Sequence, residues 1–327
     1  MGPLTEDGIM NTVLRRIKVT DNVPVIDIGD IETPAAAGAI DRACREWGFF
    51  QVTGHGIDEQ LIAELFRVAK EFFSQPGNVK REILRSADNP WGYFDEELTK
   101  NTRDWKEVFD YGPTDGDRLV PRWPERLPRF ESVILAYYSA CERLAHRLLA
   151  AISRNLGMPK DYLAKGFGDV HTSFMRLNFY PKCPPTAVPP SGRLFGVNQH
   201  SDAGALTLLL QDRQPGLEVC KNGEWYLVEP RAEALVINIG DMIQVWSNDR
   251  YKAALHRVTT NADKDRYSVP YFFNPSYDTE YAPLPSTIDP KNPARYRPIN
   301  WHEFRSLRAA GDYADYGDEV QITDYRI

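Results

Sequence analysis

Short apolar runs dominate the chain after Lys165, and they constrain its fold more than any other feature of the sequence. The runs are separated by segments that contain Gly, Pro, Asn and Asp, and they include residues 174–179, 206–210, 217–220, 225–228, 235–239, 242–246 and 267–273. Many short strands at close spacing are typical of an all-β sandwich or barrel. We therefore predict a β core for this part of the chain.

The first half of the chain has a different rhythm. Apolar residues recur at helical spacing in 35–46, 58–73 and 129–156, which predicts three amphipathic helices. Strands are predicted at 23–28 and 47–52, and loops with short strands at 74–128. A loose polar arm is expected at 1–20, a Pro-rich surface loop at 184–196 and a short helix at 300–310.

The predicted domain organisation follows from the lack of an interdomain linker between these segments. No stretch is long or polar enough to act as a linker between two domains. We predict a single domain over 1–327, with a helical N-terminal half at 23–165, a β core at 166–275 and a C-terminal tail at 276–327. A chain of 327 residues is long enough for one large hydrophobic core.

Charge and cysteine content exclude several function classes. A net charge of −7 argues against nucleic-acid binding, which needs a basic face, and against docking on anionic lipid. No signal peptide and no apolar run of ~18 residues is visible, so we expect a cytoplasmic protein without a membrane span. The four cysteines form no CxxC pair, which predicts buried free thiols and not a zinc site or disulfides. We expect a monomer.

Two histidines and an aspartate form a candidate metal site. His200 and Asp202 are two residues apart, and in a strand such residues point to the same face. His256 lies far downstream, between apolar residues of another predicted strand. Two histidines and one carboxylate are the facial triad of non-haem Fe(II) oxygenases, which leaves open metal positions for other ligands. The spacing alone is also compatible with a surface loop and a core histidine.

A candidate anion anchor follows the second histidine. Arg266 and Ser268 share one face of a predicted strand. Arginine forms a two-pronged pair with a carboxylate, and serine adds a hydrogen bond. In the earlier strand 175–181, alternation puts Arg176, Asn178 and Tyr180 on one face, where they could line a cavity.

Together these motifs resemble the isopenicillin-N-synthase-like branch of the Fe(II)/2-oxoglutarate-dependent oxygenases, and its plant-type members especially. The likeness extends from about Val23 to Pro275. The matching segments, in order, are GFFQV (48–52), HGI (55–57), LNFYPKCP (177–184), HSDAGALTLLLQD (200–212), NIGDMIQVWSN (238–248), HRV (256–258) and RYSVPYFFNP (266–275).

The resemblance implies a fold and a reaction. The fold would be mainly β, a double-stranded β-helix (jelly roll) flanked by helices, and His200, Asp202 and His256 would bind Fe(II). The enzyme would use 2-oxoglutarate and O2, release succinate and CO2, and oxidise a small-molecule metabolite. Hydroxylation is the expected outcome, and desaturation or ring closure would differ in how the substrate is held.

The resemblance also implies roles for the remaining candidates. Arg266 and Ser268 would hold the C5 carboxylate of 2-oxoglutarate, with Tyr180 and Asn178 beside the cosubstrate.

Arg176 and Phe272 match positions that line the substrate pocket in some relatives. With Trp105 or Phe109 from the N-terminal half, they would suit an acidic or phenolic molecule. A structural salt bridge accounts for Arg176 equally well.

Other functions are compatible with parts of the pattern. A non-haem iron oxidase of the same fold that does not use 2-oxoglutarate would retain the triad and an Arg-x-Ser. A catalytically inactive binding module would have no reason to keep three metal ligands and an acid anchor, and a zinc hydrolase would have no use for the anchor.

The chain departs from the family pattern at two positions. Gly54 stands where relatives often have Asn, and Asp249 stands where they often have Gly. Both positions are interpreted as structural. His55 belongs to the same turn as Gly54 and is also interpreted as structural, while the other three histidines, His146, His171 and His302, fit no ligand pattern.

Overall fold

A computed structural model describes residues 18–19, 23–99, 102–114, 119–168, 170–187, 194–313 and 320–327. Its helices are α1 (Pro34–Glu46), α2 (Glu59–Phe73), α3 (Gly77–Lys80), α4 (Phe130–Asn155), α5 (Asp241–Trp246) and α6 (Trp301–Tyr313). Its strands are β1 (Lys18–Val19), β2 (Val25–Asp27), β3 (Phe49–Thr53), β4 (Gly92–Phe94), β5 (Leu98–Thr99), β6 (Thr102–Arg103), β7 (Glu107–Tyr111), β8 (Phe174–Tyr180), β9 (Phe195–His200), β10 (Leu206–Gln211), β11 (Leu217–Lys221), β12 (Glu224–Leu227), β13 (Leu235–Ile239), β14 (His256–Thr259), β15 (Arg266–Phe273), β16 (Glu280–Tyr281) and β17 (Ile299–Asn300).

Two sheets form the β core, which confirms the prediction of a mainly β fold. One has the strand order β1-β12-β11-β14-β9, and the other has the order β2-β3-β13-β10-β15-β8-β7-β4. The larger sheet therefore includes four strands from the N-terminal half of the chain. Strands β10 and β13 are buried along their whole length, as expected for continuous apolar runs.

The predicted helices of the N-terminal half are confirmed to within a residue or two. Helix α1 begins at Pro34, and the Thr33 hydroxyl accepts a hydrogen bond from the backbone N–H of Ala36. Helix α2 is capped in the same way by Asp58. Helix α4 packs against α1, α2, β10 and β15, so the helices cover one face of the larger sheet.

One apolar run predicted as a strand is a helix. Residues 241–246 form α5, and every one of its six residues is buried. A helix that is buried on all sides has no polar face, so its sequence shows no helical period and cannot be told from a buried strand.

Other expectations changed in detail. Part of the arm predicted at 1–20, Lys18–Val19, forms β1 and pairs in parallel with β12, while residues 1–17 and 20–22 lie outside the described residues. The tail helix is longer than predicted and extends to Tyr313. The Pro-rich loop contains a short 3-10 helix at Pro185–Ala187, and residues 188–193 are not described. All four cysteines are free, and three of them are buried.

Candidate metal and cosubstrate site

Antiparallel pairing of two short strands brings the candidate ligands together. His256, the first residue of β14, lies directly opposite His200, the last residue of β9. Asp202 follows two residues beyond the end of β9. Its Oδ1 atom lies 3.5 Å from Nε2 of His200 and 3.6 Å from Nε2 of His256. No other group of three His, Cys, Asp or Glu side chains in the described part of the chain is arranged to hold a metal ion.

Hydrogen bonds orient both imidazole rings towards the carboxylate. Nδ1 of His200 lies 2.8 Å from the carbonyl of Asn198, and Nδ1 of His256 lies 3.1 Å from the carbonyl of Ala254. An Nδ1–H that donates to a carbonyl leaves Nε2 as an acceptor, which is the form that binds a metal. Both Nε2 lone pairs therefore point to the space beside Asp202.

Hydrogen bonds to its second oxygen fix the orientation of the Asp202 carboxylate. Its Oδ2 atom accepts hydrogen bonds from the Thr207 hydroxyl and, at 2.7 Å, from Nδ2 of Asn238. Thr207 and Asn238 are register partners in β10 and β13. Sequence reasoning missed both residues, although each is a polar residue inside an otherwise apolar run, which was the available signal.

Burial and mutual attraction set the charges of the three groups. Burial alone raises the pKa of Asp202, but the charges of His256 and His200 and the hydrogen bonds outweigh it and hold the pKa far below its usual range. Burial, together with repulsion from His200, lowers the pKa of His256 to about 4. Burial also lowers the pKa of His200, but bonding to Asp202 outweighs it and the net shift is upward. An ionised carboxylate beside imidazole acceptors fits a divalent cation such as Fe(II).

The cosubstrate candidates lie together on β8 and β15. Arg266 is opposite Tyr180, and Ser268 is opposite Asn178. The Ser268 hydroxyl lies 3.4 Å from both the Tyr180 hydroxyl and Nδ2 of Asn178. All four residues line the same cavity as the three metal-ligand candidates.

Arg266 carries an unused hydrogen-bond donor. Its Nη2 donates to Oε1 of Gln211 at 3.0 Å, and its Nε donates to the carbonyl of Gln214 at 3.3 Å. Its Nη1 is buried and has no hydrogen-bond partner among the described residues. A buried donor without a partner is costly, so a site for an anion at this position is physically reasonable. The arrangement fits the carboxylate of a bound dicarboxylic acid.

The two substrate candidates line this cavity of about 250 Å³, but Arg176 is already ion-paired. Its Nε lies 2.7 Å from Asp110, and its Nη1 lies 3.0 Å from Glu97. Phe272 stacks on Phe174 with ring centroids 4.5 Å apart, which forms an aromatic wall.

Neither Trp105 nor Phe109 lines the cavity. The Trp105 indole donates to the carbonyl of Pro181, and Phe109 is fully buried in the core. Strand β7 is buried on both faces, so alternation along its sequence does not show which side chains face the cavity.

The remaining histidines make local contacts. His55 accepts a hydrogen bond from the N–H of Ile57, and His171 contacts Glu142 at 2.5 Å. Gly54 has a φ of 63°, and a Cβ there would lie 2.3 Å from Oδ1 of Asp27. Asp249 has a φ of 68°, in the left-handed region of backbone conformation that favours glycine.

Two family models match the chain. Residues 171–275 match the 2OG-Fe(II) oxygenase superfamily, and residues 23–129 match the N-terminal region described as "non-haem dioxygenase in morphine synthesis". The chain belongs to the 2OG-Fe(II) oxygenase superfamily. No helix among the described residues is long and apolar enough to cross a membrane.

Curated and structural relatives agree with this assignment. Flavanone 3-dioxygenase 2 of Oryza sativa subsp. japonica is 35% identical over 288 residues, which cover 86% of this chain and 82% of the relative. The structure of JOX2 in complex with 2OG, Fe and JA has a TM-score of 0.80 at 31% identity and covers 93% of this chain and 89% of that one. A full-length Neurospora crassa protein, solved in complex with alpha-KG, has a TM-score of 0.80 at 26% identity, with coverages of 89% and 98%.

The protein is therefore a non-haem Fe(II)/2-oxoglutarate-dependent dioxygenase with a jelly-roll core. Its cofactor set of Fe(II), 2-oxoglutarate and O2 follows from the family, and the grouping of His200, Asp202 and His256 fits the iron. The predicted fold class and reaction class are confirmed. The interpretations as an oxidase without 2-oxoglutarate, as an inactive binding module and as a zinc hydrolase are not supported.

Proposed function

We propose that this dioxygenase oxidises a small organic acid and that Arg305 binds the carboxylate of that acid. Arg305 lies in α6 and lines the cavity that contains the candidate metal site. Its guanidinium donates to the carbonyl of Thr172 at 3.1 Å. This residue replaces Arg176 as the cation best suited to bind an acidic substrate.

A comparison of the cationic residues in the cavity carries this proposal. Those that line it are Lys106, Arg176, Arg266, Arg305 and Arg308. Three of them pair with buried carboxylates: Lys106 with Asp104, Arg176 with Asp110 and Glu97, and Arg308 with Asp241. Arg266 lies at the proposed cosubstrate anchor. Within the described residues Arg305 makes no ion pair, so its charge is the one available to an incoming anion.

The surroundings of Arg305 suit a molecule with an apolar body and an acidic end. The guanidinium lies 5.8 Å from the ring centre of Phe174 and 5.6 Å from that of Tyr277. Because Arg305 is only partly exposed, its attraction for an anion is screened less than that of a surface arginine. The stacked Phe174 and Phe272 rings offer an apolar wall for the rest of the substrate.

The iron and cosubstrate roles belong to the same proposal. We assign the iron to His200, Asp202 and His256, and the C5 carboxylate of 2-oxoglutarate to Arg266 and Ser268. The buried, unpaired Nη1 of Arg266 supports that assignment. The Arg266 guanidinium lies 5.0 Å from the ring centre of Tyr180, and we assign Tyr180 and Asn178 to positions beside the cosubstrate.

The reaction divides between the cofactors and the protein. When bound, Fe(II), 2-oxoglutarate and O2 supply the oxidation of a substrate C–H bond, with release of succinate and CO2. The protein orients Nε2 of both histidines, fixes the far end of 2-oxoglutarate and holds the substrate so that one C–H bond faces the metal. Hydroxylation is the proposed outcome; desaturation or ring closure would need a different substrate position. We further propose that the chain acts as a single domain and a monomer in the cytoplasm.

The test measures succinate release by the Fe(II)-loaded enzyme with a panel of small aromatic and alicyclic acids and their methyl esters. We expect acids, but not their esters, to stimulate succinate release. Arg305→Gln should reduce the kcat/KM for a stimulating acid at least tenfold, consistent with loss of about 1.4 kcal/mol or more of carboxylate binding. Substitution of the exposed Arg213 (Arg213→Gln) serves as the control and should leave kcat/KM unchanged.

Three results would contradict parts of the proposal. Equal stimulation by acids and esters would exclude the proposed substrate class, and an Arg305→Gln enzyme as active as the wild type would exclude Arg305 as the residue that binds the carboxylate. Arg266→Ala should abolish succinate release with every substrate, and retained release would exclude Arg266 as the cosubstrate anchor.

A further inference from the structure

We infer that Arg308 is a positioning residue through which the C-terminal end of the chain fixes the metal-binding loop. This inference rests on the proposed iron site. We define the metal-binding loop as residues 200–204 and the C-terminal clasp as residues 320–327. Arg308, which lies in α6, is buried and contacts both segments.

On one side, the Arg308 guanidinium bonds to the metal-binding loop. Its Nη2 donates to the carbonyl of Ser201 at 3.0 Å and lies 3.3 Å from the Ser201 hydroxyl. Ser201 stands between His200 and Asp202 in the chain. A shift of its peptide would therefore move both candidate ligands.

On the other side, the same guanidinium bonds to the C-terminal clasp and to α5. Its Nη1 donates to the carbonyl of Val320 at 3.1 Å and to Oε1 of Gln321 at 3.3 Å, and lies 3.4 Å from Oδ2 of Asp241. The backbone N–H of Asp241 donates to the carbonyl of Asp202 at 2.7 Å. Arg308 therefore links the metal-binding loop, the start of α5 and the clasp.

The far end of the clasp is fixed beyond the other end of α5. Arg326 pairs with Oδ2 of Asp249 at 2.8 Å, and Asp249 also accepts a hydrogen bond from the Tyr296 hydroxyl at 2.6 Å. These two contacts hold the far end of the clasp beside the segment that follows α5.

These contacts predict an effect on metal affinity. Metal ligands need to be placed within a fraction of an ångström, so support behind them is reflected in affinity. Losing such support typically weakens metal binding by about 10- to 100-fold. The Arg308 guanidinium connects the clasp with the metal-binding loop. Loosening the clasp alone should therefore also weaken metal binding, but less than loss of the guanidinium does.

The experiment measures the dissociation constant for Co(II), a redox-stable probe of the Fe(II) site, with the full-length protein. Arg308→Met should raise it about tenfold or more, and Arg308→Lys should restore part of the loss because it keeps a donor and the charge. Arg326→Gln and Asp249→Asn should each raise it a few-fold, as expected for a partly exposed ion pair. Arg213→Met, which removes an exposed arginine that does not line the cavity, is the control and should leave Co(II) affinity within about twofold.

The design separates positioning from general destabilisation. Arg308→Met leaves Asp241 without this cation, so the double variant Arg308→Met/Asp241→Asn is measured as well, with thermal unfolding of each apo-protein. A folded double variant with weakened Co(II) binding supports the inference. Folded Arg308 variants that bind Co(II) like the wild type, or an equal loss in Arg213→Met, would overturn it. A wild-type protein that binds no Co(II) would contradict the proposed iron site itself.

Discussion

Two arginines on the same cavity wall differ in how their charges are compensated. Arg176 forms ion pairs with Glu97 and Asp110, and Arg85 contacts the same two carboxylates. All four side chains are largely buried. Because Arg176 already neutralises carboxylates of the protein, its main contribution is to the stability of the cavity wall. Arg305 forms no ion pair with any carboxylate among the described residues.

Arg176→Met is therefore expected to destabilise the protein. Removing one partner of a buried ion pair leaves an uncompensated charge, and we expect the free energy of unfolding to fall by about 3 kcal/mol. Arg305→Met should change the free energy of unfolding by less than about 1 kcal/mol, because no carboxylate in the described part of the chain pairs with Arg305. Urea denaturation of both apo-variants tests the contrast. Equal stabilities would mean that the Arg176 ion pairs contribute little.

At the scale of elements, the metal-binding loop depends on a close approach between two backbones. The loop lies against the start of α5, where the N–H of Asp241 and the N–H of Met242 donate to the carbonyls of Asp202 and Gly204. Gly240 permits this approach, because a Cβ there would lie 2.1 Å from the Gly204 oxygen and 2.8 Å from the Asp202 oxygen. Both neighbours are backbone atoms, so they cannot move aside as a flexible side chain could.

Gly240→Ala is expected to push the metal-binding loop away from α5. We expect a loss of about 2 kcal/mol or more in the free energy of unfolding, as for other overpacked sites, together with weaker metal binding. Gly168→Ala is a suitable control, since a Cβ at that position has no atom within 4 Å. Denaturation and metal titration of both variants test this. Wild-type behaviour of Gly240→Ala would show that the two backbones can separate at little cost.

At the scale of the whole molecule, the buried ion pairs connect the N-terminal half to the β core. Glu97 and Asp110 belong to the N-terminal half, and Arg176 belongs to β8 of the core. Burial alone raises the pKa of Glu97, but the charges of Arg176 and Arg85 outweigh it and lower the pKa to about 2 from a usual 4.5. The cavity wall therefore depends on an ionised carboxylate.

This shift predicts how acid affects stability. A carboxyl whose pKa is lower in the folded state stabilises the protein above its unfolded pKa, and the contribution is lost as the pH falls towards the folded pKa. The wild type should therefore be more stable than Glu97→Gln at neutral pH, and the difference should shrink between pH 4.5 and about 2. Urea denaturation across this range, in metal-free protein, provides the measurement. A difference that stays constant with pH would contradict the role of Glu97.

The sequence by itself determined much of this protein. Helical spacing predicted α1, α2 and α4, and the short apolar runs predicted the β core, because both patterns depend on residues that are near one another in the chain. The residue types at 200, 202, 256, 266 and 268 predicted a candidate metal site and a candidate anion anchor, and the family resemblance implied their roles. The helix α5 was predicted as a strand, because burial on every side removes the helical period of apolar residues that identifies a helix.

Only the tertiary structure determined which arginine side chains of the cavity are ion-paired with carboxylates. Register between β9 and β14 brings His256 opposite His200, and register between β7 and β8 brings Asp110 opposite Arg176. Arg305 and Arg308 reach the same cavity from a helix near the C-terminus, and in the sequence neither differs visibly from a surface arginine. Electrostatic compensation depends on distances of a few ångströms between residues far apart in the chain, so folding, and not local pattern, determines it.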